Sequence, residues 1–121
     1  MKRRIHIISF KHAWDGIVYS FLSQPNFQVH AFFTLLVVCA GRYFSIGSGE
    51  WIVLIFTIAM VFVAEMVNTS IECMTDLLTP DYHIAAKRAK DVSAGMVLVT
   101  AIFAVIIGAV IFLPYLGIFF M

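Results

Sequence analysis

Polar and apolar positions divide this chain into four helical segments. Over residues 9–23 the apolar positions Phe10, Trp14, Ile17, Val18 and Phe21 recur at helical spacing, with Lys11, His12, Asp15 and Tyr19 largely off that stripe. Such an amphipathic helix lies in the membrane interface, a depth that suits Trp and Tyr. Ser23-Gln24-Pro25-Asn26 breaks it and turns the chain into the bilayer. Residues 27–44 form a first predicted span, with His30 near one end and Arg42 near the other, both within reach of water. A short loop ending at Glu50 leads to a second span over residues 51–78, anchored at the interface by Trp51. Thr79 is expected to cap the next helix, with Pro80 as its first residue. This third span, over residues 80–113, begins polar and turns apolar at Val92. Pro114-Tyr115-Leu116-Gly117 closes it, and an apolar tail follows.

The second span carries the most informative break in the pattern. Trp51 to Ala64 holds no charge, and then Glu65, Asn68, Glu72 and Asp76 appear in steps of three, four and four. At about 100° per residue these steps place all four within an arc of about 80° on one side of the helix. A carboxylate near hydrocarbon costs several kcal/mol unless it finds a partner or water. The uncharged run covers about 21 Å at ~1.5 Å per residue, against a hydrocarbon core of ~30 Å. Glu65 is therefore expected near the far interface, with Glu72 and Asp76 beyond it in water.

Composition agrees with a membrane solvent. Of 121 residues 62% are apolar and 12% charged, and the mean hydropathy is +0.98; soluble domains run nearer about 45–50% apolar and about 25% charged. The net charge of +1 comes with no basic stripe, which argues against a nucleic-acid partner. Cys39 and Cys73 are expected near opposite bilayer faces as free apolar thiols. Met1-Lys2-Arg3-Arg4 has the charge of a signal-peptide start, but the mixed residues after it point to a retained segment. Lys2, Arg3, Arg4 and Lys11 precede the first span, Arg42 lies near the first loop, and Lys87, Arg88 and Lys90 lie between the second and third. The positive-inside rule then places the N-terminus and the polar stripe on the cytoplasmic side.

The second and third spans are joined by a tight connection and are expected to run antiparallel and adjacent. Carboxylates, an amide and the face of Lys87, Lys90 and Asp91 then meet at one membrane surface. That mixture suits phosphoryl transfer: carboxylates hold Mg²⁺, lysines neutralise phosphate oxygens, and a carboxylate close to lipid can take a proton from an attacking hydroxyl. No Walker-type loop or kinase Gly-rich loop is present. The residues alone leave three readings open: a lipid-facing phosphotransferase, a small oligomeric ion- or proton-coupled transporter using Glu65, and a salt-bridged hairpin that assembles a larger complex.

Glu65-Met66-Val67-Asn68-Thr69-Ser70-Ile71-Glu72, then Asp76, Tyr82-His83 and Ala86-Lys87-Arg88-Ala89-Lys90-Asp91, resembles the signature of the small bacterial integral-membrane lipid kinases, the prokaryotic diacylglycerol kinases and undecaprenol kinases. Ser9-Phe10-Lys11-His12-Ala13-Trp14-Asp15-Gly16 is similar to the surface helix of the undecaprenol-kinase branch, and the resemblance covers nearly the whole chain. It implies an all-α membrane protein, one domain over residues 1–121, with an amphipathic surface helix, three transmembrane helices and a homotrimer sharing its active sites. It implies transfer of the γ-phosphoryl group of ATP, with Mg²⁺, to the hydroxyl of a membrane lipid, undecaprenol or diacylglycerol, in the bacterial cytoplasmic membrane. The surface helix favours undecaprenol. By the same resemblance Glu65 is the catalytic base and Asn68 orients the transferring phosphate. Glu72 is a metal ligand, and His12, Asp81, Tyr82, His83, Lys90 and Asp91 contact the nucleotide.

One position departs from the family pattern. The diacylglycerol branch has a second metal-binding Glu where this chain has Gln24. A neutral carbonyl oxygen replaces a charge there, and Mg²⁺ leans on substrate phosphates and water in any case. Blander expectations complete the reading. Asp76 is a structural partner at the helix end, and His30 is an interfacial histidine bonded to backbone. Arg42 and Glu50 form a surface pair worth little.

Overall fold

The computed structural model describes residues 10–117 as an all-helical chain. Helix α1 spans Phe10–Ser23, α2 Pro25–Phe44, α3 Ser48–Leu78 and α4 Ile84–Phe112, followed by a 3-10 turn over Leu113–Leu116. Lys2, Arg3, Arg4 and Ser9, and the apolar tail over residues 118–121, lie outside the described residues.

Each boundary has a local cause. Gln24 precedes a proline and is extended (φ −113°, ψ 108°), which separates α1 from α2. Pro25 then opens α2, where its missing N–H leaves no intrahelical partner wanting. At the other end of α2, Ser45 is left-handed (φ 52°), and the Ile46 N–H donates to the Gly41 carbonyl at 3.1 Å. This closes the helix in the manner of a Schellman turn. Glycine is required at position 41 by the close approach of the next helix: an added Cβ would meet Cη2 of Trp51 at 2.8 Å and Cδ1 of Ile46 at 3.1 Å. Gly41→Ala is therefore expected to destabilise the α2–α3 connection by about 1–3 kcal/mol, read as a lower unfolding temperature in detergent.

The start of α4 differs from the expected one. Thr79 is not its N-cap; it ends α3, donating its N–H to the Thr75 carbonyl at 2.9 Å. Residues 79–83 are a non-helical connection. The cap is His83, whose Nδ1 accepts from the Ala85 N–H at 3.1 Å. A ring nitrogen does here what a hydroxyl was expected to do.

At 31 residues α3 is about 46 Å long at ~1.5 Å per residue, longer than the ~30 Å of a hydrocarbon core. It pairs along α4 in the most extensive helix contact of the chain. Among the described residues two helices have the length and composition to cross a bilayer, α3 and α4 continued through Leu116. Helix α2 has 20 residues, about 30 Å, but Gln28, His30 and Arg42 dilute its apolar character. Side chains such as Phe32, Leu35, Ile52, Phe56, Phe103 and Val105 are exposed on all three long helices. Apolar surface on every side is what a helix in lipid or in a larger bundle presents.

The small apolar core sits at one end, where Ile46, Leu54 and Ile111 are buried against Val37, Phe44, Trp51 and Phe112. There Glu50 accepts from the Tyr115 hydroxyl at 2.9 and 3.1 Å, so its partner is Tyr115 and not the expected Arg42. At the other end α1 folds back on α2 and α3. Phe21 meets Phe27 edge-on (6.1 Å between centroids), Phe27 packs on Phe62 (4.8 Å), and the Gln28 amide donates to the Phe21 carbonyl at 3.0 Å. The apolar stripe Phe10, Trp14, Ile17, Val18 and Phe21 remains exposed over much of its surface, although Phe21 touches Phe27. Cys39 and Cys73 are free and exposed.

Candidate active site

The polar stripe of α3 becomes a gradient of burial. Glu65 is wholly buried at 0% exposure, Asn68 is buried, Glu72 is half-buried and Asp76 is exposed. Glu65 is the largest fully buried side chain among the described residues. A carboxylate in such a place costs several kcal/mol unless neighbours compensate it.

Helix α4 supplies the facing wall. The Ser93 hydroxyl, itself buried, lies 2.7 Å from Asn68 Oδ1 and 3.0 Å from the Lys90 carbonyl, sharing one proton between them. The Asn68 amide nitrogen in turn donates to Glu72 Oε1 at 3.4 Å. Asn68 is thereby oriented from both sides, its carbonyl toward α4 and its amide toward the carboxylate one turn on. Lys90 Nζ pairs with Asp76, which joins the open end of the two helices. That hydrogen bond, donated by Lys90 to the Asp76 carboxylate and partly opposed by desolvation, raises the Lys90 pKa above its ordinary 10.5. Lys87 and Asp91 pair one turn apart at 2.6 Å, both exposed, an interaction worth little to stability.

The structure links Asn68, Glu72, Asp76 and Lys90 through Ser93 into one array, with Glu65 one turn before Asn68 on the same side of α3. It ties the remaining expected residues to that array by no hydrogen bond or ion pair among the described residues. His12 is exposed on α1, and Gln24 is half-buried at the α1–α2 break without a side-chain hydrogen bond. Asp81 and Tyr82 are exposed in the α3–α4 connection, and His83 has Nδ1 engaged as a helix cap. No group of three or more His, Cys, Asp or Glu among the described residues is arranged to hold a metal.

Two neighbours of the array escaped the sequence reading. Ser93 was not singled out, although it lies three residues past Lys90 and hence on the same helix face. His30 was expected to bond backbone, but its Nε2 is buried without a hydrogen bond and stands 3.6 Å from Glu65 Oε2. Its signal was depth: at ~1.5 Å per residue His30 lies about 8 Å into α2, and Glu65 lies about 10 Å along α3 before Glu72, so both stand within the apolar layer on the same side.

Comparison with known proteins places the chain. A family model described as prokaryotic diacylglycerol kinase matches residues 11–112. A diacylglycerol kinase of Synechocystis is 40% identical over 109 residues, 89% of this chain and 62% of that protein. The chain thus spans less than two thirds of that relative. An undecaprenol kinase of Bacillus subtilis is 41% identical over 108 residues, 89% of this chain and 88% of that one. A diacylglycerol kinase of Escherichia coli K12 is 26% identical over 106 residues, covering 88% and 87%. With a match over nearly its whole described length, and with a buried carboxylate and amide on one helix facing a partly exposed lysine on the next, the chain belongs to the prokaryotic diacylglycerol kinase family, a family of lipid kinases.

Proposed function

We propose that this protein transfers the γ-phosphoryl group of ATP to the hydroxyl of a membrane lipid, with undecaprenol favoured over diacylglycerol. The observation that carries this reading is the burial gradient along α3, from Glu65 at 0% exposure to exposed Asp76 beside Lys90. One end of the site suits a lipid hydroxyl and the other a water-borne polyphosphate. The amphipathic character of α1 and 41% identity to an undecaprenol kinase support the polyprenol, although a diacylglycerol kinase is similar at 40%.

The chemistry follows from the positions. The lipid hydroxyl oxygen attacks the γ-phosphorus, an O–P bond forms, the bond to the β–γ bridging oxygen breaks, and ADP leaves. Glu65 takes the hydroxyl proton. Asn68, fixed by Ser93 and Glu72, presents its amide to the moving phosphoryl group. Lys90 and Asp91, with Asp81, Tyr82, His83 and His12, form the nucleotide side. One half-buried carboxylate and one amide oxygen, Glu72 and Gln24, suit Mg²⁺ carried in on ATP, because Mg²⁺ takes few protein ligands and several from phosphate and water. Held there, Mg²⁺ would neutralise charge on the phosphate oxygens.

The same reading makes α2 the first of three spans, places the N-terminus and site in the cytoplasm, and treats the chain as one domain. The exposed apolar faces of α2, α3 and α4 support assembly into a homotrimer with shared sites. Purified protein in mixed micelles with radiolabelled ATP and a panel of lipid alcohols is expected to label undecaprenol in a Mg²⁺-dependent way. No label on any lipid alcohol, or proton-coupled flux without ATP, would overturn the reading.

Lys90 yields a prediction about pH. Its folded pKa is raised, so the Asp76 pairing is fully present below the ordinary value of 10.5 and is lost only as pH rises through the raised one. Lys90→Ala is expected to raise KM for MgATP about tenfold, through loss of one charge-assisted contact to a phosphate oxygen. That factor is expected to stay constant between about pH 6 and 9, since the lysine does not titrate there. Steady-state kinetics at several pH values checks both.

A further inference from the structure

Three buried polar atoms at this site have no hydrogen-bond partner among the described residues: Glu65 Oε1, Glu65 Oε2 and His30 Nε2. Two of them face each other, Nε2 and Oε2 standing 3.6 Å apart with side-chain exposures of 18% and 0%. We infer that His30 is a positioning residue for Glu65: Nε2 holds Oε2, and Oε1 is left for the lipid hydroxyl. This rests on the reading of Glu65 as the base.

Burial supplies the first argument. An unsatisfied buried polar atom is costly, and two complementary ones at ion-pair distance lower that cost by closing on each other. The gap exceeds a hydrogen bond by well under about 1 Å, and catalytic contacts commonly tighten once substrate is bound. The second argument is that the imidazole is held in place. Its ring meets Phe62 edge-on (6.5 Å between centroids), and Phe62 packs on Phe27 at 4.8 Å. The third is location. His30 also lines an apolar cavity of about 390 Å³ between α2, α3 and α4, with Phe33, Val61, Ala101 and Val105. The imidazole therefore stands between that apolar cavity and the carboxylate, where it orients Glu65. An Nε2–H tautomer donating to Oε2 fixes the carboxyl plane. Oε2 goes on accepting that bond when Oε1 gains the hydroxyl proton, so the contact survives the step.

The test uses the full chain as it assembles in detergent. His30→Leu is expected to lower kcat about ten- to fiftyfold with KM for MgATP within about twofold, the scale of a misplaced catalytic group. His30→Gln, which keeps a donor at similar reach, is expected to recover kcat to within about threefold of wild type. In a Glu65→Gln background His30→Leu is expected to cost no further activity, because the two side chains act as a unit. The inference is overturned by wild-type kcat in His30→Leu, which would mean that a neighbouring subunit or nothing holds Glu65. It is equally overturned by His30→Gln being as poor as His30→Leu, or by a loss confined to KM for MgATP. Should His30→Leu fail to fold, His30→Gln and its combination with Glu65→Gln decide the matter alone. A wild-type protein that labels no lipid alcohol would remove the lipid-kinase reading and this inference together, whereas an active wild type with indifferent His30 variants removes this inference only.

Discussion

Glu65→Gln is expected to lower kcat by about 10²–10⁴-fold, the range that a general base contributes, while MgATP still binds. The amide has the same shape and fills the same fully buried space, so the array of Asn68, Glu72, Ser93 and Lys90 should stand undisturbed. Stability is expected to move the other way. A buried carboxyl with neither oxygen hydrogen-bonded is a liability to the fold, and replacing it by an isosteric amide should leave the protein as stable or more stable, by up to about 1–3 kcal/mol. Lost turnover with retained nucleotide binding and an undiminished unfolding temperature is the signature of a side chain kept for chemistry at a cost in stability. Lost turnover with collapsed stability would instead make Glu65 a structural carboxyl. Single-turnover phosphate transfer, nucleotide titration and thermal unfolding in one detergent separate these outcomes.

Asn68→Ala is expected to lose both activity and stability, and this combination distinguishes it from Glu65→Gln. Asn68 bridges two helices: its carbonyl oxygen is 2.7 Å from the buried Ser93 hydroxyl of α4, and its amide reaches Glu72 at 3.4 Å. Truncation leaves the Ser93 hydroxyl with only the Lys90 carbonyl as a partner, which should cost about 1–3 kcal/mol. The amide proposed to face the transferring group disappears as well, and one positioned donor is worth about 10²–10³-fold in kcat. A double-mutant cycle with Ser93→Ala assigns the structural share. Residues in contact couple by roughly 0.5–3 kcal/mol. Coupling in stability but none in kcat would reduce Asn68 to a helix-pairing residue.

The legible part of this site was the part written on one helix. Glu65, Asn68, Glu72 and Asp76 recur at steps that only a helix brings to one side, and the uncharged run before them measures their depth. Lys90 was legible for a related reason: a tight connection makes neighbouring helices antiparallel, so the start of α4 must face the end of α3. The helix cap at His83 was not legible, because Thr79-Pro80 is by composition the better start signal. The chain loses that start to residues 79–83, which stay non-helical, and a ring nitrogen caps the helix instead. The pairing of Glu50 was misread for want of distance. Arg42 is near in sequence, whereas Tyr115 lies 65 positions away and comes close only when α4 returns to the start of α3.

By itself, the sequence determined the solvent, the helical class, the polar face of α3 and the family of lipid kinases, because each is a matter of composition, periodicity or a contiguous motif. Only the tertiary structure decided how these side chains differ from one another. It gave Glu65 complete burial and left Asp76 open, passed a hydrogen bond from Ser93 through Asn68 to Glu72, and set His30 against Glu65 at 3.6 Å. Burial and pairing depend on what packs across a helix face. Along one helix the periodicity says which residues share a side, but a neighbour on another helix has no fixed spacing in the chain, and only packing supplies it.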